Sequence, residues 1–202
     1  MRECTKLRCI RLSCLPNLER IGDSALSDCS ALHEVELQDL PKLRVIGTYF
    51  ASECSELEAF QLSALPELTN ILGYCMSECT KLRSVCLAHL PKLEEIRSHA
   101  FAGCSTLQEI ELRDLPRLQT IGEGFASGCG LETFHLSALH ELRSIGDRSF
   151  SDCRLLRRVF FDNLPNLEVV GLGAFTGCSS ELVIELKDLP KLTAAPRVME
   201  RR

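Results

Sequence analysis

Apolar residues recur along this chain in a fixed phase. The short segment Glu34-Val35-Glu36-Leu37 alternates polar and apolar residues, and Glu109-Ile110-Glu111-Leu112 repeats it. Alternation with β-branched residues predicts a short strand, buried on one side. A Leu-Pro-x-Leu element follows each such segment, as in Leu15-Pro16-Asn17-Leu18, Leu40-Pro41-Lys42-Leu43 and Leu189-Pro190-Lys191-Leu192. Proline fixes φ and has no N–H to donate, so the chain is expected to turn there, outside any ladder. A second extended stretch then ends at Ile-Gly, a predicted corner. Beyond it Ala25 and Cys29, or Phe101 and Cys104, stand one helical turn apart. Asp23, Thr48, Ser98 and Asp147 are placed to cap such a turn.

The phase is set by cysteine. Cys4, Cys29, Cys54, Cys79, Cys104, Cys129, Cys153 and Cys178 mark the repeat starts, 25 residues apart except for the 24 between Cys129 and Cys153. The unit reads C-x-x-L-x-x-[IVF]-x-L-x-x-L-P-x-L-x-x-I-G-x-x-[AS]-F-x-x, and residues 1–202 form a single domain of about eight copies, the last cut short. One coil cannot bury its apolar columns alone, so stability must propagate through stacking. Stacked at about 4.8 Å, eight strands make a parallel sheet on the order of 40 Å tall. The predicted fold is an α/β repeat solenoid with one short parallel strand per repeat and short extended or helical turns on the other side. Neither end carries an evident polar cap, so the chain reads as part of a longer array, or as a module whose ends stack on further repeats or other subunits.

Departures from the unit are few. Copy six lacks one residue after Cys129, so Leu131 comes early, and it has His140 in place of Pro; both changes could bend the coil locally. Phe50 and Phe125 are shifted by one place, and the corner Gly becomes Leu72 or Arg97 in copies three and four. Glu181 stands in copy eight where Leu is expected.

The motif resembles the leucine-rich repeats, specifically the BspA-like class. It is carried by Ile145-Gly146-Asp147-Arg148-Ser149-Phe150-Ser151-Asp152-Cys153 followed by Leu156-Arg157-Arg158-Val159-Phe160-Phe161. The cysteine-containing repeats of F-box-type ubiquitin-ligase receptors are also similar, through Cys-x-x-Leu-x-x-Leu-x-Leu. Their Cys or Asn is replaced here by Leu15, Leu40, Leu65, Leu90 and Leu115, so the Leu-Pro pair and Ile-Gly corner favour the first class. The resemblance implies a horseshoe with the strands on its concave face, and binding rather than catalysis.

The candidate protein-binding face is the outward column of those strands: Arg11, Glu36, Gln61, Cys86, Glu111, His135, Phe160 and Glu185, with Arg158 beside it. The column is polar until Phe160, which points outward while Phe161 takes the core position. An aromatic flanked by Arg157, Arg158 and His135 has the character of a contact anchor. The expected partner is a protein of unspecified identity.

Composition narrows the chemistry. The chain is 45% hydrophobic and 25% charged, with a net charge of −5. Charges of both signs alternate without a basic stripe, which argues against nucleic acid. No run approaches the roughly 18 apolar residues of a membrane span, so membrane insertion is not expected. The phased cysteines read as buried small hydrophobes. No C-x-x-C pair points to zinc, and no cofactor or metal is expected. Cys9, Cys14, Cys75 and Cys86 lie off the ladder, and Cys86, at the outward position of its strand, is the thiol expected to be exposed. Gly122-Glu123-Gly124 and Gly171-Leu172-Gly173 lack the Lys-Ser/Thr of a phosphate loop. The five histidines form no catalytic set, and His140-Glu141 is not followed by a second His at 144. Absent sequons, an absent signal peptide and unpaired cysteines favour an intracellular location. A cell-surface adhesin or receptor ectodomain, and an architectural subunit of a large assembly, are the alternatives.

Overall fold

A computed structural model describes residues 2–196. Each coil begins with a five-residue strand, continues through the Leu-Pro turn into a two-residue strand, and closes through a run of turns that ends at the phased cysteine. The long strands are β1 (Cys9–Ser13), β3 (Glu34–Gln38), β5 (Ala59–Ser63), β7 (Ser84–Ala88), β9 (Glu109–Arg113), β11 (Thr133–Ser137), β13 (Arg158–Asp162) and β15 (Val183–Lys187). The short ones are β2 (Arg20–Ile21), β4 (Val45–Ile46), β6 (Asn70–Ile71), β8 (Glu95–Ile96), β10 (Thr120–Ile121), β12 (Ser144–Ile145) and β14 (Val169–Val170). All pair in parallel, and each residue faces its counterpart in the next repeat. The result is a parallel-strand solenoid.

The core lies between the layers. In the second coil Leu32, Val35, Leu37, Leu40, Leu43, Ile46 and Cys54 are wholly buried, and the other inner coils repeat this. Fully burying one such aliphatic side chain is worth roughly 1.5–3 kcal/mol. The terminal coils share the pattern incompletely: Leu7, Ile10 and Leu12 at one end, and Leu182, Ile184 and Leu189 at the other, are only half-buried.

No helix occurs among the described residues, so the predicted helical turn is corrected. Its backbone donors are used between coils instead. His99, Phe101 and Gly103 donate to the carbonyls of Glu123, Phe125 and Ser127, and the next coil repeats this with Gly124, Ala126 and Gly128. A ladder of that kind leaves no i to i−4 bonds; in the early coils it puts every second residue in the left-handed region, as at Tyr49 (φ 56°), Ala51 and Glu53, and in the later ones only the first and last of the three, as at His99 and Gly103. The expected caps act across coils too. The Asp23 carboxylate accepts the N–H of Thr48 at 2.9 Å, and Asp147 accepts that of Leu172 at 2.8 Å.

The Ile-Gly corner owes its glycine to crowding rather than to φ. A Cβ on Gly47 would fall 2.6 Å from the Gly22 carbonyl carbon, and one on Gly122 would fall 2.5 Å from the Ser98 nitrogen.

The cysteine ladder has a specific job. Cys54, Cys79, Cys104, Cys129, Cys153 and Cys178 each donate Sγ–H to a turn carbonyl of the preceding coil, at 3.1–3.2 Å. Apolar residues of similar size could fill the space but would not donate, leaving the Leu26, Ala51, Met76 and Ala126 carbonyls without this bond; those of Phe101 and Phe150 also accept the N–H of Cys104 and Cys153. All twelve thiols are free. Burial pushes Cys54 and Cys153 up to about 12, so they stay protonated and keep donating.

The long strands divide into two sheets, β1-β3-β5-β7-β9 and β11-β13-β15, whereas the short strands form one continuous seven-stranded sheet. The division falls where copy six is one residue short. Elsewhere Cys-x-x-Leu closes a turn, with Leu107 N–H donating to the Cys104 carbonyl at 2.9 Å and Leu156 to Cys153 at 3.0 Å. With only Gly130 between Cys129 and Leu131, that turn has no partner three residues on. Gly130 instead lies so close to the coil below that a Cβ would fall 2.5 Å from the Ser105 oxygen. The His140 corner, by contrast, keeps the turn of the Pro corners, Leu142 N–H to Leu139 carbonyl at 3.1 Å.

Candidate functional site

Alternation in the long strands decides which side chains face out. Val35 and Leu37 are buried, so Glu34, Glu36 and Gln38 face the other way. The register lines up Arg11, Glu36, Gln61, Cys86 and Glu111 on the first sheet, and His135, Phe160 and Glu185 on the second. The nine candidates thus occupy one strand surface in two groups, with Arg158 two places before Phe160 on the same face of β13.

On the first sheet most of the outward charges pair with one another, Glu109 being the exception among the described residues. The Arg11 guanidinium reaches Glu34 at 3.0 Å and Glu36 at 3.2 Å. Glu111 pairs with Arg113 at 2.8 Å and accepts a hydrogen bond from Cys86 Sγ at 3.0 Å. Partial burial and the Glu111 carboxylate push the Cys86 thiol up to about 11, which suppresses the thiolate and with it nucleophilic reactivity. Cys86 shares its exposure with Cys9 and Cys14, while Cys75 is wholly buried.

The second sheet is arranged around an aromatic. Three strands with three outward residues each make a patch: Thr133, His135 and Ser137 on β11; Arg158, Phe160 and Asp162 on β13; Val183, Glu185 and Lys187 on β15. Phe160 stands at its centre, half-buried, while Phe161 next to it is in the core. The His135 ring meets Phe160 edge-on, 5.8 Å between centroids and 61° between planes. Lys187 and Asp162 approach to 3.5 Å. Arg158 and Glu185 are exposed and have no ion pair among the described residues. Val183 adds exposed apolar surface to the patch, at 51%. The sequence pointed to His135, Arg158, Phe160 and Glu185. It missed Val183 and Lys187, although the repeat register that aligns Phe160 with Glu185 also aligns Arg158 with Val183 and Asp162 with Lys187.

Among the described residues no group of three or more His, Cys, Asp or Glu side chains is arranged to hold a metal ion. No helix there is long and apolar enough to cross a membrane.

Comparison with known proteins identifies the repeat. The family model described as "BspA type Leucine rich repeat region (6 copies)" matches residues 2–94 and 87–193. No curated protein matches the chain. Among solved structures, the leucine rich repeat protein of T. pallidum aligns at 26% identity with a TM-score of 0.54, covering 92% of this chain and 72% of that one. A leucine rich cell surface protein of Faecalibacterium prausnitzii aligns at 20% identity with a TM-score of 0.54, and a leucine-rich repeat protein of Bacteroides ovatus at 20% with 0.50. These two alignments cover 91% and 90% of this chain but span only 60% and 61% of the length of those proteins.

Proposed function

The chain belongs to the BspA-type leucine-rich repeat family, and from that premise we propose that it is a non-catalytic protein-interaction module whose contact surface is the outward face of β11, β13 and β15. The observation that carries this reading is Phe160 at the centre of the three-by-three patch, ringed by polar and charged side chains. An aromatic anchor inside a polar rim is the usual anatomy of a protein contact. Family neighbours commonly act as interaction modules, and a rigid stacked sheet holds such an anchor with little ordering left to do on binding. The partner is a protein that buries the Phe160 ring against an apolar side chain and meets Arg158 with an acidic group. Phe160→Glu should abolish capture of that partner, and Glu36→Arg on the first sheet should leave it intact; the reverse pattern moves the contact to the first sheet.

One other reading has specific support. A cell-surface role is favoured by the likeness to the F. prausnitzii protein, which is described as a cell surface protein. The buried thiol donors support a reducing compartment instead, because each must stay a thiol to satisfy its carbonyl. Counting free thiols in protein taken from its native source separates these locations: twelve free thiols support the intracellular reading, and disulfides or oxidised thiols support the surface.

A further inference from the structure

The turn side of the solenoid carries an incomplete aromatic ladder. Tyr49, Tyr74 and His99 fill the same place in successive coils and stack face to face, 4.8 Å between centroids at each step, with planes 13° and 7° apart. The next three places belong to Gly124, Arg148 and Gly173, so no ring of the chain continues the stack beyond His99. The His99 ring overhangs Gly124, where a Cβ would fall 2.7 Å from Cδ2 and Nε2. Between His99 and Arg148 opens a slot lined by Gly124, Ser127, Ser151 and Asp152, with Glu123 at its rim. It runs on into a groove past Glu53 and Glu78 beneath the two tyrosines.

His99 is oriented by what it lacks. Its Nδ1 is buried with no hydrogen-bond partner among the described residues, so Nε2, at the slot, is the ring nitrogen left to bond a ligand.

We propose that this slot binds one pyranose ring of a neutral oligosaccharide, seated on the terminal face of His99. The lining mixes acceptors (Asp152, Glu123), a donor (Arg148) and groups that can do either (Ser127, Ser151, His99 Nε2). An aromatic side chain in the slot would cover the two serine hydroxyls and Arg148 without offering them a hydrogen bond. A sugar ring offers an apolar C–H face to the imidazole and hydroxyls to the rest. Carboxylates outnumber the arginine along slot and groove, which disfavours sugars that carry an acid group.

The test uses the whole chain against an immobilised panel: neutral oligosaccharides of glucose, galactose, mannose and N-acetylglucosamine, sialylated and uronate-containing oligosaccharides, and peptides carrying Tyr or Trp. Gly124→Tyr fills the slot; its Cβ would meet the His99 ring at 2.7 Å, so that ring must swing aside. The backbone itself suits a side chain, since the φ of +59° is one that Tyr49 and Tyr74 already adopt at the equivalent place, and circular dichroism will check the fold. His99→Ala removes the stacking face without adding bulk. The proposal expects a neutral oligosaccharide to bind the parent, about tenfold weaker in His99→Ala, as loss of one stacked ring contact implies, and not at all in Gly124→Tyr. Phe160→Glu, on the long-strand surface, should leave this binding unchanged, so the outcome is independent of the protein-contact reading. Binding of acidic sugars or aromatic peptides alone, no binding at all, or neutral-sugar binding that survives both Gly124→Tyr and His99→Ala would overturn it.

Discussion

On β1 to β9 the outward charges, Glu109 excepted, close on one another, Arg11 on Glu34 and Glu36, Arg113 on Glu111, and Cys86 on Glu111 as well. On β11 to β15 the same positions hold an aromatic centre, with an arginine and a glutamate that have no ion pair among the described residues. The two regions share one repeat, one register and one core, and are separated where one residue is missing after Cys129. A face whose charges are already paired gains little from a partner, because binding must first break those pairs. A face with a half-buried ring still open to solvent on one side and two unpaired charges has its favourable contacts still to make.

The cores differ in parallel. In the later coils Phe101, Phe125, Phe150 and Phe175 form a stack through the interior, with Phe134 4.6 Å from Phe150. The earlier coils place Leu26, Ala51 and Met76 where the later ones have Phe101, Phe150 and Phe175, and have a single aromatic contact, Phe50 with Phe60. The ladder of rings lies outside in the early coils and inside in the late ones.

The largest effect on this contrast should come from Phe150→Ala. It removes a wholly buried ring that touches three others, and truncations of this kind typically cost about 3–5 kcal/mol in a denaturant titration. An equal loss from Phe60→Ala would erase the difference between the two cores.

Cys153→Ala should cost about 1–3 kcal/mol by orphaning the Ala126 carbonyl. It also tests the thiol ladder through pH. Burial raises the Cys153 thiol from 9.0 to about 12 in the folded chain, so above pH 9 the unfolded state loses this proton first. The stability it contributes is therefore intact below pH 9 and is lost as the pH rises towards 12. The variant should show a shallower alkaline decline than the parent; an unchanged slope would mean that this thiol is not held protonated.

Inserting one Thr between Gly130 and Leu131 should restore the Cys-x-x-Leu turn and join the two sheets. Each inter-strand bond gained adds about 0.5–1.5 kcal/mol, visible as slower hydrogen exchange in β11. Unchanged exchange would show that the missing residue does not cause the break. The smallest effect belongs to Arg11→Ala, which removes exposed ion pairs and should leave the melting temperature where it was.

Much of this architecture was legible in the sequence, because each apolar column recurs at one spacing and can be buried only by stacking. The strands, the Leu-Pro turns and the outward column followed from that period. The helical turn did not survive, since spacing alone cannot say whether a backbone N–H bonds within its coil or to the next. Why cysteine holds its place was equally hidden: the acceptor carbonyl lies 27 or 28 residues back in the chain. At the candidate site, Phe160 stood out as an apolar residue in a polar column. Val183 and Lys187 did not, because they matter only through their register with β13.

The most direct test of the central claim is paired capture from the native source, using three baits confirmed as folded: the parent chain, Phe160→Glu with Arg158→Glu, and Glu36→Arg with Glu111→Arg. The account predicts protein partners that are held by the parent and by the first-sheet variant and are lost from the Phe160 variant. Partners that persist on the Phe160 variant, or that vanish only with the first-sheet variant, would contradict it.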